Sequence, residues 1–217
     1  MRILRVRKGL ITAKGASKFP KSIVGFDANF GVFDNNETIA YLSYIPKLRL
    51  MANDKARVSG LTENWISFLR PATKLPNTTS SMPVSPNMTY LPVGVKEDDL
   101  EHRLIDLHLD CFQGFSERFL TESVLQSLSR FVHLETLRIE CWDIKPSLCR
   151  RFIPDNVTDL GIGYLSDFPT ADELTLLPKR LKRLEIKIRS AWEECSWTDE
   201  VLQALPRTLQ FFSSNGT

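Results

Sequence analysis

The chain has 217 residues, of which 42% are hydrophobic, and this content is ample for a buried core. Its 28 basic and 26 acidic residues give a formal net charge of +2. Because neither sign of charge dominates, the overall charge gives no reason to expect nucleic acid or an anionic membrane as a partner. An apolar run of about 18 residues, which a membrane-spanning helix requires, is absent from the sequence.

One short pattern, Leu-x-x-Leu-x-Leu/Ile, recurs along the chain. Its four clear copies occupy residues 104–109, 134–139, 157–162 and 181–186. Apolar residues separated by one position point to the same side of an extended strand. Recurrence at a spacing of a few tens of residues indicates stacked supersecondary units. Each copy therefore predicts a strand that lies beside the equivalent strand of the next unit.

Weaker copies extend the pattern in both directions. They occupy residues 1–6, 23–28, 45–50 and 209–214. The central apolar positions of all eight copies are 4, 26, 48, 107, 137, 160, 184 and 212. Because the step from 48 to 107 is about twice the others, we expect a further coil there. Its best candidate is 88–93, at the end of a proline-rich irregular loop or insertion over 70–93. The prediction for 1–217 is one solenoid of about eight to nine coils, clearest over 100–217.

Helical patterns lie between the predicted strands. They cover residues 37–44, 61–69, 121–130, 170–177 and 198–205. Thr170 and Thr198 each begin a helical segment and are followed by carboxylates, which suit the positive end of a helix dipole. A proline stands three residues before the first apolar strand position in four coils, at Pro20, Pro154, Pro178 and Pro206. Proline cannot continue a helix and favours extended structure, so it should keep helix and strand in phase.

This combination of strand pattern, helical segment and proline resembles the leucine-rich repeat superfamily. It is best seen at 177–186 and is similar to the irregular, proline-phased repeats of fungal and protist proteins, some of which carry an F-box. The resemblance covers nearly the whole chain. It implies an α/β solenoid, a horseshoe with a parallel β-sheet on its concave face and helices or irregular turns on its convex face.

The strand residues that alternate with the apolar positions are predicted to form the exposed face of the sheet. From this face we select nine candidate partner-binding residues: Arg49, Asp106, His108, Asp110, Arg138, Glu140, Arg183, Glu185 and Lys187. Blocks of charge of both signs suit a protein partner with complementary charge. They suit a phosphate backbone poorly, because the acidic central block would repel it.

No recognisable catalytic arrangement or cofactor motif occurs in the sequence, and we expect no enzyme activity, cofactor or resident metal. Asp106, His108 and Asp110 on one strand form the one constellation that could bind a divalent cation, but we interpret them as an ordinary outward-facing polar strand. Gly161 and Gly163 lack the remainder of a phosphate-binding loop. They predict a flat patch that gives room to side chains of neighbouring strands or to an approaching partner.

The cysteines and the glycosylation sequons point to different compartments. Four cysteines lack C-x-x-C spacing, which favours reduced thiols in an intracellular protein, cytoplasmic or nuclear. Cys111 and Cys141 occupy equivalent positions and are expected to be neighbouring thiols. N-glycosylation sequons, which are typical of secreted proteins, begin at Asn36, Asn77, Asn87, Asn156 and Asn215. We favour the intracellular interpretation because the N-terminal sequence is not that of a signal peptide.

We therefore predict a non-catalytic protein–protein interaction module that binds a macromolecular partner through its concave sheet and rim loops. One alternative is a structural subunit of a larger assembly, with or without RNA, since basic residues such as Arg5 and Lys187 lie near both ends of the repeats. A second, implied by the resemblance alone, is the substrate-recognition part of a ubiquitin ligase. Repeat arrays need polar caps. Because we recognise no cap, we expect open edge strands that a partner or further chain covers.

Overall fold

A computed structural model describes residues 2–42, 45–52, 65–69, 104–111, 121–144, 152–165, 168–188 and 197–216. Its main feature is one open sheet of eight parallel strands whose spatial order follows the chain order. The strands are β1 Ile3–Val6, β2 Gly25–Asn29, β3 Lys47–Ala52, β4 Asp106–Cys111, β5 Thr136–Ile144, β6 Asp159–Leu165, β7 Arg183–Ile188 and β8 Phe211–Gly216. The parallel, solenoid-like stacking predicted from the repeat is therefore confirmed.

The strands pair in the register that the repeat predicts. The central apolar positions meet in one row across the sheet: Leu4, Phe26, Leu48, Leu107, Leu137, Leu160, Leu184 and Phe212. The inner members of this row, from Phe26 to Leu184, are at most 2% exposed. Complete burial of such a side chain contributes about 1.5–3 kcal/mol. This apolar row is therefore the axis of the core.

The additional coil expected between positions 48 and 107 contributes no strand between β3 and β4. These two strands pair directly, with Leu48 opposite Leu107. The expectation was wrong because it assumed a constant repeat length, whereas parallel pairing sets only a minimum length for the connection. The candidate at 88–93 and the proline-rich stretch over 70–93 lie outside the described residues.

Short helices precede several strands. They span Ala13–Ala16, Asn36–Ala40, Glu122–Leu128, Ala171–Thr175 and Asp199–Gln203, with 3₁₀ turns at Phe30–Val32 and Trp65–Phe68. The hydroxyl oxygens of Thr121, Thr170 and Thr198 each accept a hydrogen bond from the backbone N–H three residues later. This is the N-cap that threonine favours. The helix predicted over 61–69 is a 3₁₀ turn where the structure describes it.

The turn that follows the helical segment recurs more constantly from coil to coil than the proline within it. The proline carbonyl accepts a hydrogen bond from the N–H three residues later at Pro20, Pro154, Pro178 and Pro206. Phe131 occupies the same place in another coil, and its carbonyl accepts from Leu134 N–H at 3.0 Å. Proline fits because its carbonyl is the acceptor and the turn needs no N–H donor at that position. The constant element of the coil is therefore this turn.

β1 and β8 form the two edges of the sheet. Ile3 on β1 and Phe211 on β8 are exposed apolar residues, and within the described ranges no further strand pairs with either edge. β1 and β8 are thus the edge strands of the described sheet, and their cover by a partner or further chain stays a prediction. Across the same ranges, no helix has both the length and the apolar character needed to cross a bilayer.

Replacing Leu137 with alanine is expected to lower the free energy of unfolding by about 2–5 kcal/mol, the range for fully buried leucines. Leu137 is completely buried in the central apolar row, between Leu107 and Leu160. The control is Val132→Ala, whose side chain is 57% exposed, and it should change stability by less than about 0.5 kcal/mol. Urea unfolding followed by circular dichroism measures both. Equal losses of unfolding free energy in the two variants would contradict a core built on the central apolar row.

Candidate functional site

The polar face is the side of the sheet formed by the strand residues that alternate with the apolar rows. From β3 to β7 it contains Lys47, Arg49, Met51, Asp106, His108, Asp110, Thr136, Arg138, Glu140, Asp159, Gly161, Gly163, Arg183, Glu185 and Lys187. All nine candidate residues lie on it, because successive side chains of a strand point to opposite faces. Arg49 is exposed, and the other eight are half-buried.

Arg138 on β5 is the centre of an ion-pair network that spans three strands. Its guanidinium donates to Asp159 Oδ1 on β6 at 3.3 Å and to Glu185 Oε2 on β7 at 3.1 Å. Arg183 on β7 lies 3.9 Å from Asp159 and 3.7 Å from Glu185. Two guanidinium groups therefore share two carboxylates, and each side chain contacts at least one residue of another strand.

Gly161 and Gly163 on β6 leave the space in which residues of β5 and β7 meet. A Cβ atom at Gly161 would lie 3.2 Å from Arg138 Cγ, and one at Gly163 would lie 2.9 Å from Glu140 Cα. A second ion pair also crosses β6, because Lys187 Nζ on β7 lies 3.2 Å from Glu140 Oε2 on β5. Of the two roles predicted for these glycines, the structure supports room for neighbouring side chains.

His108, Asp110 and Glu140 form a second group, here named the histidine cluster. His108 and Asp110 lie on β4, and Glu140 is opposite Asp110 on β5. One potential ligand atom from each residue lies within 4.8 Å of those of the other two. The sequence grouped Asp106 with His108 and Asp110. In the structure Glu140 takes that place, while Asp106 pairs with Lys47 at 3.8 Å.

One nitrogen of the His108 imidazole, Nε2, makes no direct hydrogen bond within the described residues. Nε2 lies 3.7 Å from Glu140 Oε1, which is beyond hydrogen-bonding distance. This atom is fully buried, and within the described residues no donor or acceptor reaches it. A buried polar atom of this kind carries a desolvation cost that a ligand could offset.

Burial and charge shift the pKa values of the histidine cluster. Burial lowers the pKa of His108, with Glu140 opposing this effect and Arg49 and Arg138 adding to it, so the imidazole is neutral at neutral pH. Burial, followed by repulsion from Glu140, raises the pKa of Asp110. The cluster therefore combines a neutral imidazole with two carboxylates that repel each other.

At β2 the residues of the polar face are buried, which alternation alone did not predict. Asp27 and Asn29 occupy polar-face positions but are only 6% and 8% exposed. Arg7 Nη2 lies 3.1 Å from Asp27 Oδ2, and Arg5 Nε lies 3.7 Å from it. The opposite charges at matching positions of the first two coils were the signal for this pairing. Arg5 and Arg7 are thus partly neutralised.

Two sequon asparagines take part in the fold. The side-chain amide of Asn156 donates to the carbonyl of Leu134, and Asn36 is buried at the start of a helix. Asn77 and Asn87 lie outside the described residues. Cys111 and Cys141 are partners in the β4–β5 register, as their equivalent repeat positions predict.

Cross-strand ion pairs hold several charged side chains of the polar face in place. Side chains that are already fixed by cross-strand ion pairs lose little further freedom when a partner docks. Comparisons of the chain with protein-family models, with curated proteins and with solved structures found no match. The geometry of the polar face is therefore the basis for the proposed function.

Gly163→Ala is expected to lower the free energy of unfolding by about 1–3 kcal/mol, as for other overpacked sites. The new methyl group would meet the Cα of Glu140, a backbone atom, at 2.9 Å. Gly161→Ala is the matched control, because its methyl would meet the flexible Arg138 side chain at 3.2 Å. Its loss should be smaller in the same urea titration. A larger loss at Gly161 would contradict this packing.

Glu185→Gln is expected to make stability less dependent on pH. Burial alone would raise the pKa of Glu185, but the hydrogen bond and charge of Arg138, with Lys187 and Arg183, lower it overall. A lowered folded-state pKa adds stability above the pKa of the unfolded chain, and this stability disappears as pH falls through the folded-state pKa. The substitution should therefore destabilise the protein at neutral pH by up to about 1 kcal/mol, and not in acid.

The control for this experiment is Glu135→Gln, at an exposed residue just before β5. It should leave the pH dependence of unfolding unchanged. If Glu185→Gln destabilised the protein equally at neutral and acidic pH, its effect would not come from the charge of Glu185.

Proposed function

We propose that the chain is a leucine-rich-repeat horseshoe that acts as a non-catalytic protein-interaction module. It binds a protein partner through the polar face and the loops at its rim. The observation that carries the proposal is the continuity of the polar face, which extends from β3 to β7. Its register is regular as far as Glu140 on β5 and Ile162 on β6, and it shifts beyond these residues. A broad, rigid surface with charges of both signs suits a macromolecule better than a small substrate.

The repeat type rests on the apolar rows and on the coil turn. Each coil supplies a leucine, isoleucine or similar apolar residue to equivalent rows of the sheet, such as Leu137, Leu160 and Leu184. The turn at Pro178 and Leu181 recurs at Pro206 and Leu209 with the same hydrogen bond. Coils that bury apolar surface mainly against their neighbours form an extended binding surface.

The ion-pair network shapes what the polar face can recognise. The guanidinium of Arg138 is already paired with Asp159 and Glu185, so a partner would have to compete for it. Such groups contribute more to specificity than to affinity, because misplaced partner charges would be repelled. Arg49 is different, since it is exposed and no ion pair joins it to another described residue. Arg49 is therefore the residue at which an acidic partner group would bind first.

The pairing also reduces the case for RNA as the partner. Arg183 lies near Asp159 and Glu185, and Lys187 lies 3.2 Å from Glu140. Cations that are neutralised by neighbouring carboxylates release few counterions from a phosphate backbone. We therefore retain the protein partner as the proposal.

Arg49→Glu is expected to reduce partner capture by about tenfold or more, the loss typical of a charge placed against a complementary partner. The measurement is affinity purification with quantitative mass spectrometry, comparing the wild-type chain with the variant. The matched control is Arg130→Glu, which makes the same charge change at an exposed residue in the turn after helix Glu122–Leu128. Both variants should unfold at the same urea concentration as the wild type.

The expected result is a set of proteins that the wild type and Arg130→Glu retain and that Arg49→Glu loses. If Arg49→Glu retained the same proteins at the same amounts, partner binding through the polar face would be ruled out at β3. Loss with Arg130→Glu alone would place the binding surface on the helical side.

A further inference from the structure

We propose that His108, Asp110 and Glu140 bind a divalent transition-metal ion, with Zn²⁺ as the ion that best fits this donor set. This inference goes beyond the proposed function and does not depend on it. All three ligands belong to this chain, so the site needs no partner protein. The inference differs from the interpretation of this strand as an ordinary polar surface, which the sequence alone favours.

The backbone places the three ligands on adjacent strands. His108 and Asp110 are two residues apart on β4 and therefore point to the same side, and Glu140 is the register partner of Asp110. Their ligand atoms all lie within 4.8 Å of one another. A zinc ion at about 2.0–2.2 Å from each donor needs donor separations of roughly 3–4 Å. Small side-chain rotations would close the remaining distance.

The buried Nε2 atom of His108 is an independent reason to expect a ligand. It has no hydrogen-bond partner among the described residues, and it lies 3.7 Å from Glu140 Oε1. This separation falls within the roughly 3–4 Å expected between two donors of one zinc ion. The imidazole nitrogen of histidine is a common ligand of zinc.

The two carboxylates of the cluster favour a dication, whereas the positive charges of Arg49, Arg138 and Lys187 nearby oppose it. The carboxylates of Asp110 and Glu140 are register partners whose ligand atoms lie within 4.8 Å of each other, so their like charges repel. An ion bound between them would remove that repulsion. A mixed set of imidazole nitrogen and carboxylate oxygen suits zinc better than magnesium or calcium, which prefer oxygen ligands.

The ammonium of Lys187 would compete with the metal ion for the carboxylate of Glu140. This ammonium lies 3.2 Å from Glu140 Oε2, whereas Glu140 Oε1 faces His108. A metal could use Oε1 while Lys187 keeps Oε2, but the positive charge would weaken binding. Removal of that charge should therefore strengthen metal binding. Three protein ligands also leave at least one coordination position for water or for a group of a bound molecule.

Isothermal titration calorimetry of the full chain with Zn²⁺, after dialysis against chelator, tests the site. We expect binding of one equivalent. His108→Asn and Glu140→Gln should each weaken affinity by at least about tenfold, since even the loss of an outer-shell partner has an effect of this size. Lys187→Met should strengthen it. This opposite change cannot arise from unfolding, so the test holds even if one ligand variant folds poorly.

Two matched controls separate this site from adventitious binding. Asp106→Asn removes a half-buried carboxylate from the same strand and face, and His133→Asn removes an exposed histidine. Neither should change the affinity. Titration with Co²⁺ should produce visible absorption bands without the near-ultraviolet bands of a thiolate ligand. Absence of stoichiometric binding, equal affinity in the ligand variants, or thiolate bands at one equivalent would each overturn the proposal.

Discussion

The shared register of eight parallel strands is the constraint on which the rest of this structure depends. Strand side chains alternate between two faces, so a slip of one residue would move the apolar row to the polar face. Leu107, Leu137 and Leu160 are fully buried in adjacent strands at the same level of the sheet. Burial on one side therefore determines which side chains meet on the other.

The polar face shows how neighbouring strands share one surface. Two glycines on β6 remove side chains from the middle strand, and the charges of β5 and β7 meet across it, as for Arg138 with Glu185 and Glu140 with Lys187. Beside this paired region lies the histidine cluster, where a buried nitrogen remains without a hydrogen bond. The same sheet thus presents a largely neutralised region and a region able to accept a ligand.

Sequence reasoning predicted the parts of the structure that depend on local periodicity. The eight central positions, the polar-face residues and the threonine caps follow from alternation and from helix-end chemistry. It failed where neighbours are distant in sequence. The direct pairing of β3 with β4, the burial of Asp27 and the meeting of Glu140 with His108 all depend on strand adjacency and side-chain reach, which repeat spacing does not specify.

The register itself is measured most directly by backbone nuclear Overhauser effects in the deuterated protein. The structure predicts nuclear Overhauser effects between backbone protons of the residues beside Leu48 and those beside Leu107. It predicts the same effects between the residues beside Leu107 and those beside Leu137, in the same register. The β3–β4 pair is decisive, because the longest connection in sequence separates these two strands. Effects that paired β3 with another segment, or that shifted β4 by one residue, would contradict this structure and the polar face built on it.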